Sequence, residues 1–138
     1  MSVYLDASVI VPLFVVDPLS ESAPQHVAAL NDDFALSDFT AAEFASAVAR
    51  KVRERDLTAR EAKVAFDAFD RWASSLTLRV EIVAADMAGC AAMIRRLDLP
   101  LRAPDALHIA VAARLNACLC TFDGQLKRCA KKFGIPVI

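Results

Sequence analysis

The strongest constraint on this chain is its alternation of very short apolar runs with longer stretches of helical period. VYLD near the start, FALS at 34–37, LRVEIV at 78–83, ACLCTFD up to Asp123 and IPVI at 135–138 read as strands. Helical spacing occupies about 20–31, then 38–56, a segment opened by Thr58, and finally 85–99, 103–117 and 123–134. Strands this short and this apolar are buried on both faces, and strands separated by helices pair in parallel. The expected class is therefore α/β, a mainly parallel sheet with helices on both sides. The 138 residues are 57% hydrophobic and carry neither repeat nor linker, so 1–138 reads as one domain with a sizeable core.

Local signals mark the helices. Thr58 with Glu61 forms a capping box, followed by an apolar stripe of Val64, Ala65, Ala68, Phe69 and Trp72. Phe39, Phe44, Ala47, Val48 and Val52 share one face of the preceding helix. Arg50, Lys51, Arg53 and Arg55 stand toward its end, where cations complement the helix dipole. Pro104 lies in the first turn of the most apolar helix and Gly134 closes the last one.

Composition excludes several classes. A net charge of −1, from 16 Lys and Arg against 17 Asp and Glu, exerts no general pull on nucleic acid. Only 3 glycines argue against a Gly-rich phosphate loop. The apolar stretch VIVPLFVV has no basic flank and falls far short of the roughly 20 residues that span a membrane, so the reading is soluble and cytoplasmic. Cys90, Cys118, Cys120 and Cys129 form no CxxC pair, and with His26 and His108 the only histidines a zinc site does not assemble. They read as small buried apolar residues in a reducing compartment.

Four acids fall where such a fold gathers its ligands, beyond the carboxyl ends of the strands. Asp6 ends the first strand, Asp123 follows the LCLCT run, Glu43 is early in the helix after FALS, and Asp105 lies in the first turn of APDAL. Each alone has an ordinary explanation. Asp6 can bond its own turn, Asp123 can cap a helix, Glu43 can be a first-turn acid, and Asp105 can answer a helix dipole. Jointly they suggest more, because four carboxylates in one hollow repel one another and need cations to stay ionised. Mg²⁺ or Mn²⁺ takes such oxygens. One or two such ions, roughly 4 Å apart when paired, activate water against a phosphodiester and stabilise its leaving oxygen. Ser8 and Thr121, two residues from Asp6 and Asp123, are either turn hydroxyls or groups that orient a carboxylate or a metal-bound water.

VYLDASVIVPLF, LSDFTAAEFASAV and RAPDALHIAVAARLNACLCTFDGQLKRCAKKFGIPVI, in that order along the whole chain, resemble a PIN domain. The likeness is specifically to the single-domain toxins of VapBC-type toxin–antitoxin pairs. It implies a three-layer α/β/α sandwich, Mg²⁺ or Mn²⁺ dependence, and an endoribonuclease that cuts RNA with activated water. It further implies that Asp6, Glu43, Asp105 and Asp123 are the catalytic, metal-binding quartet, and that a homodimer is restrained by a cognate antitoxin. His108 matches no motif position and is left out, as a core or rim residue of an apolar helix.

Arg102, just before the Asp105 turn, is the best single candidate for a substrate phosphate, or else a partner of one of the acids. Arg50, Lys51, Arg53 and Arg55, like Lys127, Arg128, Lys131 and Lys132, read mainly as solvated helix faces. A phosphatase using Asp6 as nucleophile requires a second Asp where Ser8 stands. A receiver-type signalling domain requires a lysine where TFDGQL offers an acid. A PIN nuclease without an antitoxin and a non-catalytic PIN-like binding module remain as alternatives.

Overall fold

Val3–Leu5 form β1, and every other strand is placed relative to it. A computed structural model describes residues 1–138. After β1 come α1 (Ala7–Phe14), α2 (Ala23–Ala28), β2 (Phe34–Ser37), α3 (Asp38–Arg53) and α4 (Ala59–Leu76). The chain continues through β3 (Thr77–Val80), α5 (Ala84–Arg95), α6 (Ala103–Leu115), β4 (Cys118–Cys120) and α7 (Gly124–Lys132). The four strands lie in the order β3-β2-β1-β4, all parallel.

Alternation along the strands divides the core in two. Val3, Leu5, Leu36, Cys118 and Cys120 face α1, α3 and α4, where Val9, Ile10, Phe44, Val48, Ala65 and Phe69 are buried. Tyr4, Ala35 and Leu119 point the other way, onto Ile109 and Val111 of α6, Cys90 of α5 and Leu126 of α7. Because successive strand side chains alternate, three-residue strands serve both layers. The result is the expected α/β/α sandwich. All four cysteines are buried and unbridged, and burial pushes the Cys120 thiol up to about 12. No helix is long and apolar enough to cross a membrane.

FALS forms a strand with its expected bounds, and the Thr58–Glu61 capping box forms in both directions. Other elements differ. VIVPLFVV lies largely in α1, whose apolar residues Val9, Ile10 and Val11 are buried despite Pro12 inside the helix. The helix expected over 20–31 shortens to Ala23–Ala28, with Pro24 setting its start. The third strand ends at Val80 rather than 83, because Glu81–Val83 turn away to begin α5. There the Val83 N–H donates to Asp86 Oδ2 and the Glu81 carbonyl accepts from Arg114. IPVI makes one bridge, Val137 to Leu119, instead of a strand, since Pro136 has no N–H to give a ladder. On α4 the apolar face is turned from the expected stripe: Ala62, Ala65, Phe69 and Ala73 are buried, while Val64 is 63% exposed.

The α5–α6 pair is tied by a charge. Asp86, 2% exposed, accepts from Arg114 Nε at 2.7 Å and Nη2 at 2.9 Å. Burial raises the Asp86 carboxyl, but the Arg114 bonds and the Val83 N–H outweigh it and hold it below the usual carboxylate range. The pair therefore stabilises the fold above the ordinary Asp value of about 3.9 and loses its effect as pH falls through the lower folded value. Arg114→Ala leaves Asp86 buried without its cation and is expected to cost about 3 kcal/mol in urea unfolding at neutral pH. The deficit should shrink below about pH 4, where the unpaired carboxylate is protonated.

Candidate active site at the carboxyl edge of the sheet

The chain runs from β1 outward to β2 and β3, then returns to β4 on the other side of β1. That reversal makes the carboxyl ends of β1 and β4 a topological switch point, the place where open parallel sheets bind ligands. Asp6 stands there, 4% exposed. Its Oδ1 accepts from the Ser8 N–H at 3.0 Å and from Ser8 Oγ at 2.6 Å, and so caps α1. Its Oδ2 accepts from Thr121 Oγ1 at 2.8 Å. Ser8 Oγ in turn accepts from the Phe122 N–H, and Thr121 Oγ1 accepts from the Asp123 N–H. Both hydroxyls thus orient the carboxylate and stitch the ends of β1 and β4 together.

Asp123 caps α7, accepting from the Gln125 and Leu126 N–H groups at 2.8 and 2.9 Å. The capping explanation is therefore true of Asp6 and Asp123, yet both also line a hollow of about 300 Å³ with Glu43 and Asp105. Glu43 reaches it from α3 and Asp105 from the first turn of α6. Arg102 stands at the rim, its side chain 78% exposed and its Nε 3.7 Å from Asp105 Oδ2. That separation is a loose ion pair rather than a hydrogen bond, so Asp105 Oδ2 is buried with no hydrogen-bond partner.

His108 also lines the hollow. It is 2% exposed, and its Nε2 lies 2.6 Å from Glu43 Oε2 while Nδ1 lies 2.9 Å from the Tyr4 hydroxyl. The sequence signal was its spacing: three residues after Asp105, it occupies the same face of α6 one turn on. An apolar neighbourhood concealed it. Tyr4, Ser37 and Thr40 behind it carried no signal, because a hydroxyl in a strand, at its end or in the first turn of a helix is ordinary.

Electrostatics follow from burial. Desolvation pushes the Asp6 carboxyl up, His108 and the Ser8 and Thr121 bonds pull it down, and Glu43 pushes it up again. The result lies above the usual carboxylate range. Burial sends the Tyr4 phenol to about 12 against the bonds from Ser37 and Thr40, so it keeps its proton. The donor set here is carboxylate oxygen, with no thiol, which suits hard cations such as Mg²⁺ and Mn²⁺. No three acid, His or Cys side chains close round one point. Such an open arrangement suits Mg²⁺, which keeps several waters and takes one or two carboxylates. Asp105 Oδ2, buried without a hydrogen bond and only loosely paired with Arg102, has a lone pair left for a cation.

The PIN-domain family model matches residues 3–132. The chain belongs to the PIN-domain family. It is 31% identical over 140 residues to Ribonuclease VapC46 of Mycobacterium tuberculosis, with 99% of this chain and 96% of that protein covered. Among solved structures it is similar to VapC20 of Mycobacterium tuberculosis, described as a sarcin-ricin loop cleaving toxin. That match has a TM-score of 0.75 at 16% identity, covering 91% of this chain and 93% of that one. It is also similar to Rickettsia felis VapBC2 bound to a promoter DNA fragment, with TM-score 0.72, 19% identity and coverage of 100% and 98%. At these identities the structural matches establish a shared PIN fold.

Asp105→Asn removes a buried charge whose counter-ion is the exposed Arg102 guanidinium at 3.7 Å, and breaks no hydrogen bond. In EDTA the variant should melt about 2–6 °C above the parent, equivalent to about 1 kcal/mol, as measured by circular dichroism. A lower melting temperature would mean that the carboxylate is already satisfied.

Proposed function

We propose that this chain is a metal-dependent endoribonuclease and the toxin of a type II toxin–antitoxin pair. In this reading 1–138 acts as one domain in the cytoplasm, pairs as a homodimer, and is held in check by a cognate antitoxin protein. The observation that carries the reading is the buried Asp105 Oδ2, without a hydrogen bond, in a hollow shared with Asp6, Glu43 and Asp123. The ribonuclease relative and the toxin–antitoxin neighbours support the assignment.

Asp6, Glu43, Asp105 and Asp123 would hold Mg²⁺ or Mn²⁺. When bound, such an ion supplies positive charge to the phosphodiester and makes water a competent nucleophile near neutral pH. The chain's own residues perform the remaining tasks. Ser8 and Thr121 hold Asp6 in one orientation, and the capped start of α7 does the same for Asp123. Arg102 at the rim draws the scissile phosphate toward the acids. A second hollow of about 230 Å³ shares Glu43 and continues past Ser46 to Arg50 and Arg53 on α3. It supplies a path for the RNA backbone out of the site. Local basic contact of this kind resolves how a chain of net charge −1 grips a polyanion.

Asp6→Asn and Asp105→Asn should each reduce cleavage of a structured RNA in Mn²⁺ or Mg²⁺ at least about 100-fold, and EDTA should abolish it. Variants that cut as well as the parent, or indifference to EDTA, would sink the metal-site reading and leave a PIN-like binding module. Arg50→Ala with Arg53→Ala should weaken RNA binding and flatten its dependence on log salt by roughly 1.4, two phosphate contacts at about 0.7 each. An unchanged slope in filter binding would remove α3 from the RNA path.

A further inference from the structure

His108 is buried, polar and in the hollow, yet hydrolysis as described gives it no task. Its ring is held on three sides. Phe39 and Tyr4 flank it with ring centroids at 5.2 and 5.6 Å, and Tyr4 Oη lies 2.9 Å from Nδ1. Tyr4, fully buried, is itself 2.8 Å from Ser37 Oγ. The Thr40 N–H donates to Ser37 Oγ, and Thr40 Oγ1 donates to the Leu5 carbonyl. The line Ser37–Tyr4–His108 is thereby anchored in β1, in the β2–α3 junction and in α6.

At its outer end the line meets Glu43. A carboxylate accepts, so Nε2 carries a proton and donates to Oε2 at 2.6 Å, while Nδ1 is tied to the Tyr4 hydroxyl at 2.9 Å. This is the one hydrogen bond made to the Glu43 side chain, whose three rotatable bonds otherwise leave it free to swing. Oε1 is left without a protein partner. We propose that His108, held by Tyr4 and Ser37, is a positioning residue that presents the Glu43 carboxylate to the divalent cation, an inference that rests on the metal-dependent reading above. Groups that hold a metal-binding side chain from behind commonly contribute about 10–100-fold to metal affinity.

The test measures Mn²⁺ binding to the full chain by electron paramagnetic resonance, without RNA, alongside cleavage kinetics and melting temperature. His108→Leu should weaken Mn²⁺ binding about 10-fold and lower kcat with little change in KM for RNA. His108→Gln, which restores an N–H toward Glu43, should recover affinity to within about 3-fold of the parent. Tyr4→Phe deletes one oxygen from the core and should weaken binding by about 3-fold; it decides the matter if His108→Leu fails to fold. Unchanged Mn²⁺ affinity in folded His108→Leu or in Tyr4→Phe, while Asp105→Asn loses binding, overturns the positioning role alone. Unchanged affinity in Asp105→Asn overturns the metal site and this inference with it.

Discussion

The bond between Thr121 and Asp6 joins the two strands on which this site depends. Burying a carboxylate at the end of a strand costs several kcal/mol unless its lone pairs are occupied. Here three donors occupy them: the Ser8 amide, the Ser8 hydroxyl and the Thr121 hydroxyl. Two of the donors are themselves acceptors for the Phe122 and Asp123 amides. The network that makes Asp6 tolerable therefore also aligns β1 with β4 and starts α7 at Asp123. Site and fold share one set of hydrogen bonds.

The same set leaves some charge unrelieved. Asp6 is lifted above the usual carboxylate range by burial and by Glu43, and Asp105 Oδ2 has no hydrogen bond, only the loose ion pair with Arg102. Such sites trade stability for function, and a ligand that binds only the folded chain returns the stability by mass action. Distant ties such as Asp86–Arg114 stand clear of the site and hold the α5–α6 pair that carries Asp105 and His108.

Much of this architecture is legible in the order of the residues. FALS, the Thr58–Glu61 box, Pro104 and Gly134 are local signals, and local signals place element boundaries. Each of the four acids lies at or near such a boundary, so strand-to-helix logic sends all of them to one edge. Where the determinants are not local, the sequence misleads. Pro12 and an uninterrupted apolar run conceal α1, a short helix whose burial on three elements replaces the amphipathic period. Val64 reads as inward-facing on α4 because its neighbours are apolar, although the face of that helix is chosen by Phe14, Phe44 and Phe69, with Phe14 packed edge to face on the other two rings.

The sequence by itself determined the layered α/β class, the four acids and their common edge, because element ends and side-chain chemistry are properties of short segments. Only the tertiary structure decided which hydroxyls hold Asp6, that Arg102 stands loosely beside Asp105, and that His108 belongs to the site. Those outcomes depend on register and on helix placement. The β1–β4 pairing of Leu5 with Cys120 brings Thr121 to Asp6, and the packing of α3 and α6 around the end of β1 brings Glu43 to His108. No stretch of a dozen residues contains either distance.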